Sequence, residues 1–448
     1  MDFKHFLKNA AHVKPSENQL RHLRETPFYA FVHFSPNTYT NLEWGDGTED
    51  PAIFNPTELD CDQWAKAIKN AGMKGMVLTA KHHDGFCLWQ TKYTEHSMKN
   101  SPYKNGKGDI VKEAADACKK HGIKFGFYLS PWDRNSKYYG TDEYNTYYKN
   151  QLTELLTNYG EIFYVWFDGA CGEGPNGKKQ VYDFDGYIEL IKKYQPQANI
   201  FHDGGTIRWC GNEAGIAPFA QWAVVPMELC PMNPPQTSSA LMDGSLEFAY
   251  NTDLTIGSIQ NIMYSKGLVF APAETDMSIR PGWFYHKDEE PHSLERLFKT
   301  YINTVGNNST FNLNIPPMPN GKFDPRDLER LHELGELIKK EFSQNLAEGI
   351  KFEILSGFGE TQPEYTLKLN KKEIVKYVEL AERISEGQRI ESFTVFAKND
   401  DNLWQEIAKS TTVGSRKILK INNFKTDEIK IRISAARDVP DIEWIKVY

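Results

Sequence analysis

A carboxylate ends an almost unbroken apolar and aromatic segment of this 448-residue chain. Residues 162–167 are all apolar or aromatic, Asp168 follows them directly, and Gly169 comes next. Such a run is typical of a strand that is covered on both faces of a parallel sheet. Asp168 would then lie at the carboxyl end of the strand, where α/β barrels carry their chemistry. A carboxylate beside Trp166 favours sugar chemistry, and the alternative is an aspartate that caps the turn before Gly169.

A second carboxylate that could act together with Asp168 is Glu213, 45 positions further along the chain. Cleavage of a glycosidic bond uses two carboxyl groups, one to protonate the leaving oxygen and one to attack or stabilise the anomeric carbon. Glycines flank Glu213 in segment 208–215, so we expect a loop there rather than a helix. Trp209 and Cys210 would give the loop a partly apolar setting, which favours a general acid. The alternative is a solvated loop glutamate, and Glu274 is the reserve candidate for the acid.

The elements that must position these residues alternate between short apolar runs and longer amphipathic ones from about residue 27 to 345. This alternation predicts an α/β fold, a (β/α)8-like TIM barrel. The predicted strands are 29–34, 75–80, 124–129, 161–167, 199–202, 222–225, 268–271 and 311–314. Capping residues and apolar faces predict helices at 109–122, 188–194 and 324–342.

Polar side chains follow most of the predicted strands, as expected for the catalytic face of a barrel. The alternative is that polar residues end strands of any kind, which would explain only one or two of them. The residues are His33, Lys81, His82, His83, Asp84, Ser130, Asp168, His202, Asp203, Glu228, Glu274, Asn312 and Asn314.

A change of pattern near Gly349 predicts a second domain, so we place the barrel at 1–346 and the second domain at 347–448. Alternating apolar residues predict short strands at 393–396, 418–421, 428–433 and 442–447, as in a β-sandwich. The second domain holds no cluster of catalytic type. It would either bind sugar or brace the barrel.

Composition narrows the classes of partner. The net charge of −8 gives no basic stripe for nucleic acid, and no apolar run is long enough for a membrane-spanning helix. The six cysteines form no CxxC pair, which favours buried reduced thiols and a cytoplasmic location. A periplasmic or secreted protein that has lost its signal peptide would look the same. The sequence indicates no oligomeric state.

Five motifs in the first half of the barrel resemble the α-L-fucosidases of glycoside hydrolase family 29. In chain order they are 32–35 (VHFS), 43–45 (EWG), 80–86 (AKHHDGF), 127–130 (FYLS) and 166–169 (WFDG). Segments 209–213 (WCGNE) and 274–283 (ETDMSIRPGW) further resemble the subgroup that acts on branched α-1,3/1,4-linked fucose. Residues 387–390 and 411–414 are similar to the galactose-binding-like sandwich of many such enzymes.

The resemblance implies a retaining enzyme that removes terminal fucose from Lewis-type glycans, with a fucosylated oligosaccharide or glycoconjugate as substrate and no cofactor. It implies Asp168 as the nucleophile and Glu213 as the acid and then the base. Arg280 and Trp283 would reach the subsite beyond fucose. The positions implied to line the fucose pocket are His33, Glu43, Trp44, His82, His83, Tyr128 and Trp166.

Several alternatives stay open at this stage. Trp44 and Tyr128 could be core residues instead. His82 and His83 could bind a metal only if the chain bends, because neighbouring residues of a strand point to opposite faces. The chain could also be a fucosidase of broad linkage specificity or a fucose-binding lectin without activity. A metal-dependent amidohydrolase would need a His-x-His pair after the first strand, where the chain has only His33.

Overall fold

The structure is a computed structural model that describes residues 3–202, 204–227, 256–263, 265–355 and 357–448. Asp203 and Glu228, two of the polar residues predicted to follow strands, lie outside these ranges, as does Cys230, one of the six cysteines.

The described part of the barrel region contains the strands β1 (Phe28–Val32), β2 (Gly75–Lys81), β3 (Lys124–Leu129), β4 (Tyr164–Trp166), β5 (Asn199–Phe201), β6 (Arg208–Trp209), β7 (Val224–Pro226), β8 (Leu268–Phe270), β9 (Ala273–Ser278) and β10 (Ser309–Asn314). Eight of these strands run parallel and form a nearly closed barrel in the order β5-β4-β3-β2-β1-β10-β9-β6. A parallel bridge between Phe201 and Ile207 links the ends of this order. The predicted α/β barrel is therefore confirmed.

Two of the predicted barrel strands are wrong. The runs at 222–225 and 268–271 overlap β7 and β8, which pair with each other in an antiparallel ribbon separate from the barrel sheet. The barrel uses β6 and β9 instead. The reason is that β9 carries the polar sequence AETDMS although all six of its residues are buried, so no apolar run marks it.

The predicted helices are present with their caps. Asp109 accepts a hydrogen bond from the backbone N–H of Lys112 at the start of one helix, and Gly122 ends it in the left-handed region at φ 69°. Asp324 caps the last barrel helix. The helices are Phe3–Ala11, Glu17–Glu25, Asn37–Thr40, Cys61–Asn70, Ile110–His121, Asp142–Asn158, Phe184–Tyr194, Ile259–Ile262, Leu294–Thr304 and Pro325–Phe342. None of the described helices is long and apolar enough to cross a membrane.

The chain after the barrel forms the predicted antiparallel β domain around a core of its own. The two predicted strands at 418–421 and 428–433 belong to one long strand, and the longest partner of that strand was not predicted. The strands are β11 (Glu353–Leu355), β12 (Glu364–Glu382), β13 (Ile390–Lys398), β14 (Trp404–Ser410), β15 (Lys417–Ala436) and β16 (Ile442–Val447). The boundary at 346/347 stays a prediction.

Polar side chains of this domain contact loop residues of the barrel domain. Lys417 is 3% exposed and donates hydrogen bonds to the Phe219 carbonyl at 3.1 Å and to Asn307 Oδ1 at 2.6 Å. Gln388 is fully buried, accepts from the backbone N–H of Ala223 and donates to the carbonyl of Gln221. The β domain therefore braces segment 219–223 of the barrel.

Candidate active site

Asp168 follows β4, and its two carboxylate oxygens make different contacts. Oδ1 accepts a 2.8 Å hydrogen bond from the backbone N–H of Ala170, which caps the turn. Oδ2 accepts a 3.0 Å bond from the Tyr128 hydroxyl and lies 3.7 Å from His83 Nε2. The side chain keeps 26% of its surface exposed. The turn-capping role and a chemical role are therefore compatible, because each uses a different oxygen.

Hydrogen bonding fixes the tautomer of His83. The Ser130 hydroxyl donates to the Trp132 carbonyl at 2.6 Å, so Ser130 Oγ must accept from His83 Nδ1, which is 2.7 Å away. Burial lowers the pKa of His83, although the charge of Asp168 opposes this shift. A neutral His83 then presents the lone pair of Nε2 to the space beside Asp168, where it can accept a hydrogen bond from a hydroxyl group.

A second imidazole is fixed in the same way. Asn314 donates from Nδ2 to Ser278 Oγ and to the Trp283 carbonyl, so its Oδ1 accepts from His33 Nδ1 at 2.9 Å. Burial lowers the pKa of His33 to about 3. His33 is therefore neutral, with Nε2 as an acceptor.

His82 completes the imidazole cluster and has an unused polar atom. Its ring centroid lies 4.2 Å from that of His83 and 5.6 Å from that of Tyr128, on which it stacks. Burial lowers the pKa of His82 well below its ordinary value. Its buried Nδ1 atom has no hydrogen-bond partner within the described residues.

Aromatic rings form the floor and one edge of the cleft. Trp166 stacks on Phe201 with centroids 4.0 Å apart and planes 4° from parallel, and it also contacts Tyr128 at 5.3 Å. Trp44 is 53% exposed and packs edge-on against His83. Tyr128 is buried yet touches Asp168, so it is both a core residue and a site residue. Trp44 is a rim residue rather than a core one.

Glu213 lies on the loop that follows β6, as expected. Gly211 and Gly215 adopt φ values of 99° and 73°, which only glycine adopts readily. Asn212 Oδ1 accepts from the backbone N–H groups of Ala214 and Ile216 and thereby folds the loop. The sequence analysis did not assign this role to Asn212, although asparagine is typical of such turns.

The surroundings of Glu213 suit a proton donor. Trp283 Nε1 donates to Glu213 Oε2 at 3.0 Å. Glu213 as a whole residue is exposed, but the protein around its carboxyl group raises its pKa, first by desolvation and then by the charges of Asp168 and Glu43, while the Trp283 hydrogen bond opposes the shift. The Trp283 ring lies 5.1 Å from that of His33, and His33 lies 6.0 Å from the Tyr128 ring that contacts Asp168, so the two carboxyl groups belong to one site.

Glu43 supports the site through the backbone. Its carboxylate accepts from the N–H of Trp283 at 2.9 Å and from the N–H of Phe284 at 3.3 Å, and His286 Nε2 lies 2.5 Å away. These contacts hold the segment that carries the Trp283 indole. Glu43 is therefore close to the predicted pocket, with its oxygens bound to protein groups.

Arg280 does not reach the cleft, which corrects the prediction that it contacts the subsite beyond fucose. Its side chain is fully buried, and Nε donates to Asp327 Oδ1 and Oδ2 at 3.0 and 2.8 Å. Asp324 lies 3.3 Å from its NH2 group, and the guanidinium packs over the Tyr285 ring. Arg280 ties its own loop to the helix that contains Asp327.

Glu274, the reserve acid, is also internal. It is fully buried on β9 and accepts hydrogen bonds from the hydroxyls of Tyr29 and Tyr164, from Trp166 Nε1 at 2.7 Å and from Asn312 Nδ2 at 3.2 Å. Four donors saturate the carboxylate, and no surface is left for a substrate. Glu274 holds the Trp166 ring in place.

Most of the predicted site residues therefore lie together on one face of the barrel. Two residues to which the sequence analysis assigned no role also lie near this site. Trp132 was not predicted, although it lies two residues after Ser130, which follows β3. Asp276, buried behind the Glu213 loop, was not assigned a role either. The gathered residues are His33, Glu43, Trp44, His82, His83, Tyr128, Trp166, Asp168, Glu213 and Trp283.

A parallel barrel with two carboxyl groups among imidazole and indole side chains at its carboxyl end has the architecture of a glycoside hydrolase. The family model for α-L-fucosidase matches residues 10–341. Alpha-L-fucosidase 1 of Arabidopsis thaliana is 39% identical over 93% of this chain and 84% of its own length. The chain therefore belongs to the α-L-fucosidases, glycoside hydrolase family 29, and it is an enzyme of that activity.

Solved structures agree with this assignment. A Bacteroides ovatus protein described as an α-L-fucosidase is 41% identical and superposes with a TM-score of 0.91, covering 100% of this chain and 76% of that one. A Ruminococcus gnavus family 29 fucosidase, solved in complex with fucose, is 30% identical with a TM-score of 0.84 over 98% of this chain and 95% of that one.

Proposed function

We propose that the enzyme works by retention, with Asp168 as nucleophile and Glu213 as acid and then base. The observation that carries this proposal is the partly exposed Asp168 side chain, whose Oδ2 atom Tyr128 orients, in one site with a carboxyl group whose pKa is raised. Asp168 Oδ2 attacks the anomeric carbon while Glu213 gives its proton to the leaving oxygen. Glu213 then takes a proton from water, and the water oxygen displaces Asp168 from the sugar.

The neutral imidazoles support recognition of a deoxy sugar. His33 and His83 each present an Nε2 acceptor. Two acceptors of this kind suit the ring hydroxyls of fucose, and the His82 ring packs beside that of His83. The apolar faces of Trp166 and Phe31, whose ring centroids lie 5.2 Å apart, can cover the C5 methyl group.

We assign the substrate as terminal α-1,3/1,4-linked fucose on branched, Lewis-type glycans. The support is the resemblance of segments 209–213 and 274–283, together with Trp283, which lies at the cleft beside Glu213. Broad linkage specificity is the second candidate, because Arg280 of the same segment serves the fold. Product analysis on fucosylated trisaccharides with and without the branching galactose tests this, and equal rates on both would favour the second candidate.

Variants of the two carboxyl groups test the mechanism. Asp168→Asn should abolish turnover of an aryl fucoside while the protein stays folded. Added azide should restore turnover of an activated aryl fucoside to Glu213→Ala, because azide needs no base to attack the fucosyl-enzyme. Proton NMR of the first-formed product should show the α anomer. Near-normal activity of Asp168→Asn, or a first product of β configuration, would refute the proposal, and fucose binding without any turnover by the unmodified enzyme would favour a lectin.

A further inference from the structure

The inner side of β9 carries two carboxylates, and the second has no role in the mechanism above. Glu274 and Asp276 are two residues apart, and both are buried inside the barrel, at 0% and 3% exposure. Glu274 binds four donors. Among the residues that the structure describes, Asp276 receives a single side-chain hydrogen bond, from Trp209 Nε1 to its Oδ1 at 2.9 Å. Each carboxylate therefore holds one indole, Glu274 that of Trp166 and Asp276 that of Trp209.

Trp209 is the last strand residue before the Glu213 loop. It pairs with Glu274 in the parallel register of β6 and β9. The next residue, Cys210, donates its backbone N–H to the Glu274 carbonyl at 2.9 Å. The chain then leaves the sheet, passes through Glu213 and returns to β9.

The return is also bound at Asp276. The backbone N–H of Gly215 donates to the Asp276 carbonyl at 3.1 Å. The loop 210–215 is thus attached to β9 at both ends by backbone bonds, which no side-chain substitution removes directly. The bond from Trp209 to the Asp276 carboxyl group is a side-chain contact at the start of the loop, and it adds to the bonds that Asn212 makes within the loop.

Asp276 is also within electrostatic reach of the reaction. The pKa of Asp276 is raised well above its ordinary range, first by burial and then by the charges of Glu213 and Glu274. Trp209 supplies the hydrogen bond that opposes this shift. Burial therefore favours the protonated form of Asp276, and a buried polar carboxyl group is still costly where simple packing would favour an apolar residue.

We propose that Asp276 is a positioning residue for the acid/base: through the Trp209 indole it holds the loop that aims Glu213 at the leaving oxygen. The proposal rests on the assignment of Glu213 as the acid. It concerns the proton donor and not the nucleophile, because Asp168 is held by Tyr128 and by its own turn.

This distinction gives a specific measurement. An enzyme with a misplaced acid is slow on substrates whose leaving group needs a proton, and it is much less affected on substrates with an acidic leaving group. We would measure kcat/KM for methyl α-L-fucoside and for 2-chloro-4-nitrophenyl α-L-fucoside. Asp276→Ala should lose at least about tenfold more activity on the methyl than on the aryl substrate, a fraction of the 10²- to 10⁴-fold worth of a general acid.

Two variants separate positioning from general damage. Asp276→Asn keeps an oxygen that can accept from Trp209 Nε1, so it should return the ratio of the two activities to within about threefold of the wild-type ratio. Trp209→Phe removes the donor but keeps a ring, and should reproduce the selective loss. If Asp276→Ala does not fold, Trp209→Phe alone decides. Equal losses on both substrates, or no loss in either variant, would overturn the proposal.

The control is a buried hydroxyl outside the Glu213 loop. Thr304 is the last residue of the helix Leu294–Thr304 and donates its hydroxyl to the Thr300 carbonyl at 2.7 Å, and Thr304→Val should leave the ratio unchanged. Glu213→Ala tests the underlying assignment separately. If Glu213→Ala shows no preference for the activated substrate, the proposed acid is wrong. If it shows the preference and Asp276→Ala does not, only the role of Asp276 is wrong.

Discussion

The indole nitrogen of Trp283 donates a 3.0 Å hydrogen bond to Glu213 Oε2, and this bond stabilises the ionised form of a carboxyl group that the proposed mechanism needs in its protonated form. Desolvation and the charges of Asp168 and Glu43 act in the opposite direction and prevail, so the pKa of Glu213 is raised. Competing contacts therefore set the pKa of the proposed acid, and the Trp283 bond limits how far it rises.

Trp283→Phe should shift the alkaline limb of the pH profile to higher pH. Activity falls as pH rises through the pKa of the acid, because the deprotonated form cannot protonate the leaving oxygen. Without the indole donor the carboxylate loses a stabilising contact, so its pKa rises further. The measurement is kcat/KM against pH on an unactivated fucoside, with Trp44→Phe as the control that leaves the limb in place. A limb that moves to lower pH would contradict the assignment.

Tyr128→Phe should leave the carboxylate of Asp168, the proposed nucleophile, less firmly oriented. The variant removes the hydroxyl that donates to Asp168 Oδ2 and keeps the ring between His82 and Trp166. A hydrogen bond to a charged group is worth about 1.5–3 kcal/mol, so kcat/KM on an aryl fucoside should fall by about tenfold or more. Tyr148→Phe is a matched control, since its hydroxyl donates to the Leu129 carbonyl. Equal losses in the two variants would refute the role of Tyr128.

The strand that carries Asp168 could be predicted because its signal is local. Residues 162–167 are continuously apolar, and a polar residue follows. Glu213 could be predicted as a loop residue for the same kind of reason, since glycines lie on both sides. The fold class followed from repeated runs of this type, and both predictions of element type agree with the structure.

Strand β9 could not be predicted, because its residues are buried by partners far along the chain. Glu274 is stable inside the barrel owing to donors such as Tyr29, 245 positions away. Arg280 is bound by Asp327, 47 positions away, so a motif match could not tell a ligand contact from a structural ion pair. In both cases contacts with distant parts of the chain stabilise the buried charged group. Such contacts leave no periodic pattern in the sequence.

Arg280→Met should destabilise the fold and leave substrate preference unchanged. The substitution leaves the buried Asp327 carboxylate without its partner, and breaking such a pair costs about 3–5 kcal/mol. Urea denaturation measures this loss, with Arg326→Met as a milder control because Arg326 is partly exposed. A stable variant with a raised KM only for oligosaccharides would restore Arg280 to the substrate site.

Lys417 lies at the contact between the two domains, and its buried amine should make the free energy of unfolding depend on pH. Burial lowers the pKa of Lys417 to about 7, from an ordinary value of 10.5. Between these values the unfolded chain binds a proton that the folded chain does not, so the free energy of unfolding rises with pH by up to about 1.4 kcal/mol per pH unit from this group. Below pH 7 both states are protonated and the dependence ends.

Lys417→Met should remove that dependence. The free energy of unfolding of the wild type, minus that of the variant, should increase by about 2 kcal/mol between pH 7 and pH 9, as measured by urea denaturation at each pH. The variant also leaves the Phe219 carbonyl and Asn307 Oδ1 without their donor, but this loss does not change with pH. Lys420→Met, on the exposed part of the same strand, should give a constant difference. A constant difference for Lys417→Met as well would show that the buried amine keeps its proton, with the hydrogen bonds to Phe219 and Asn307 outweighing the cost of burial.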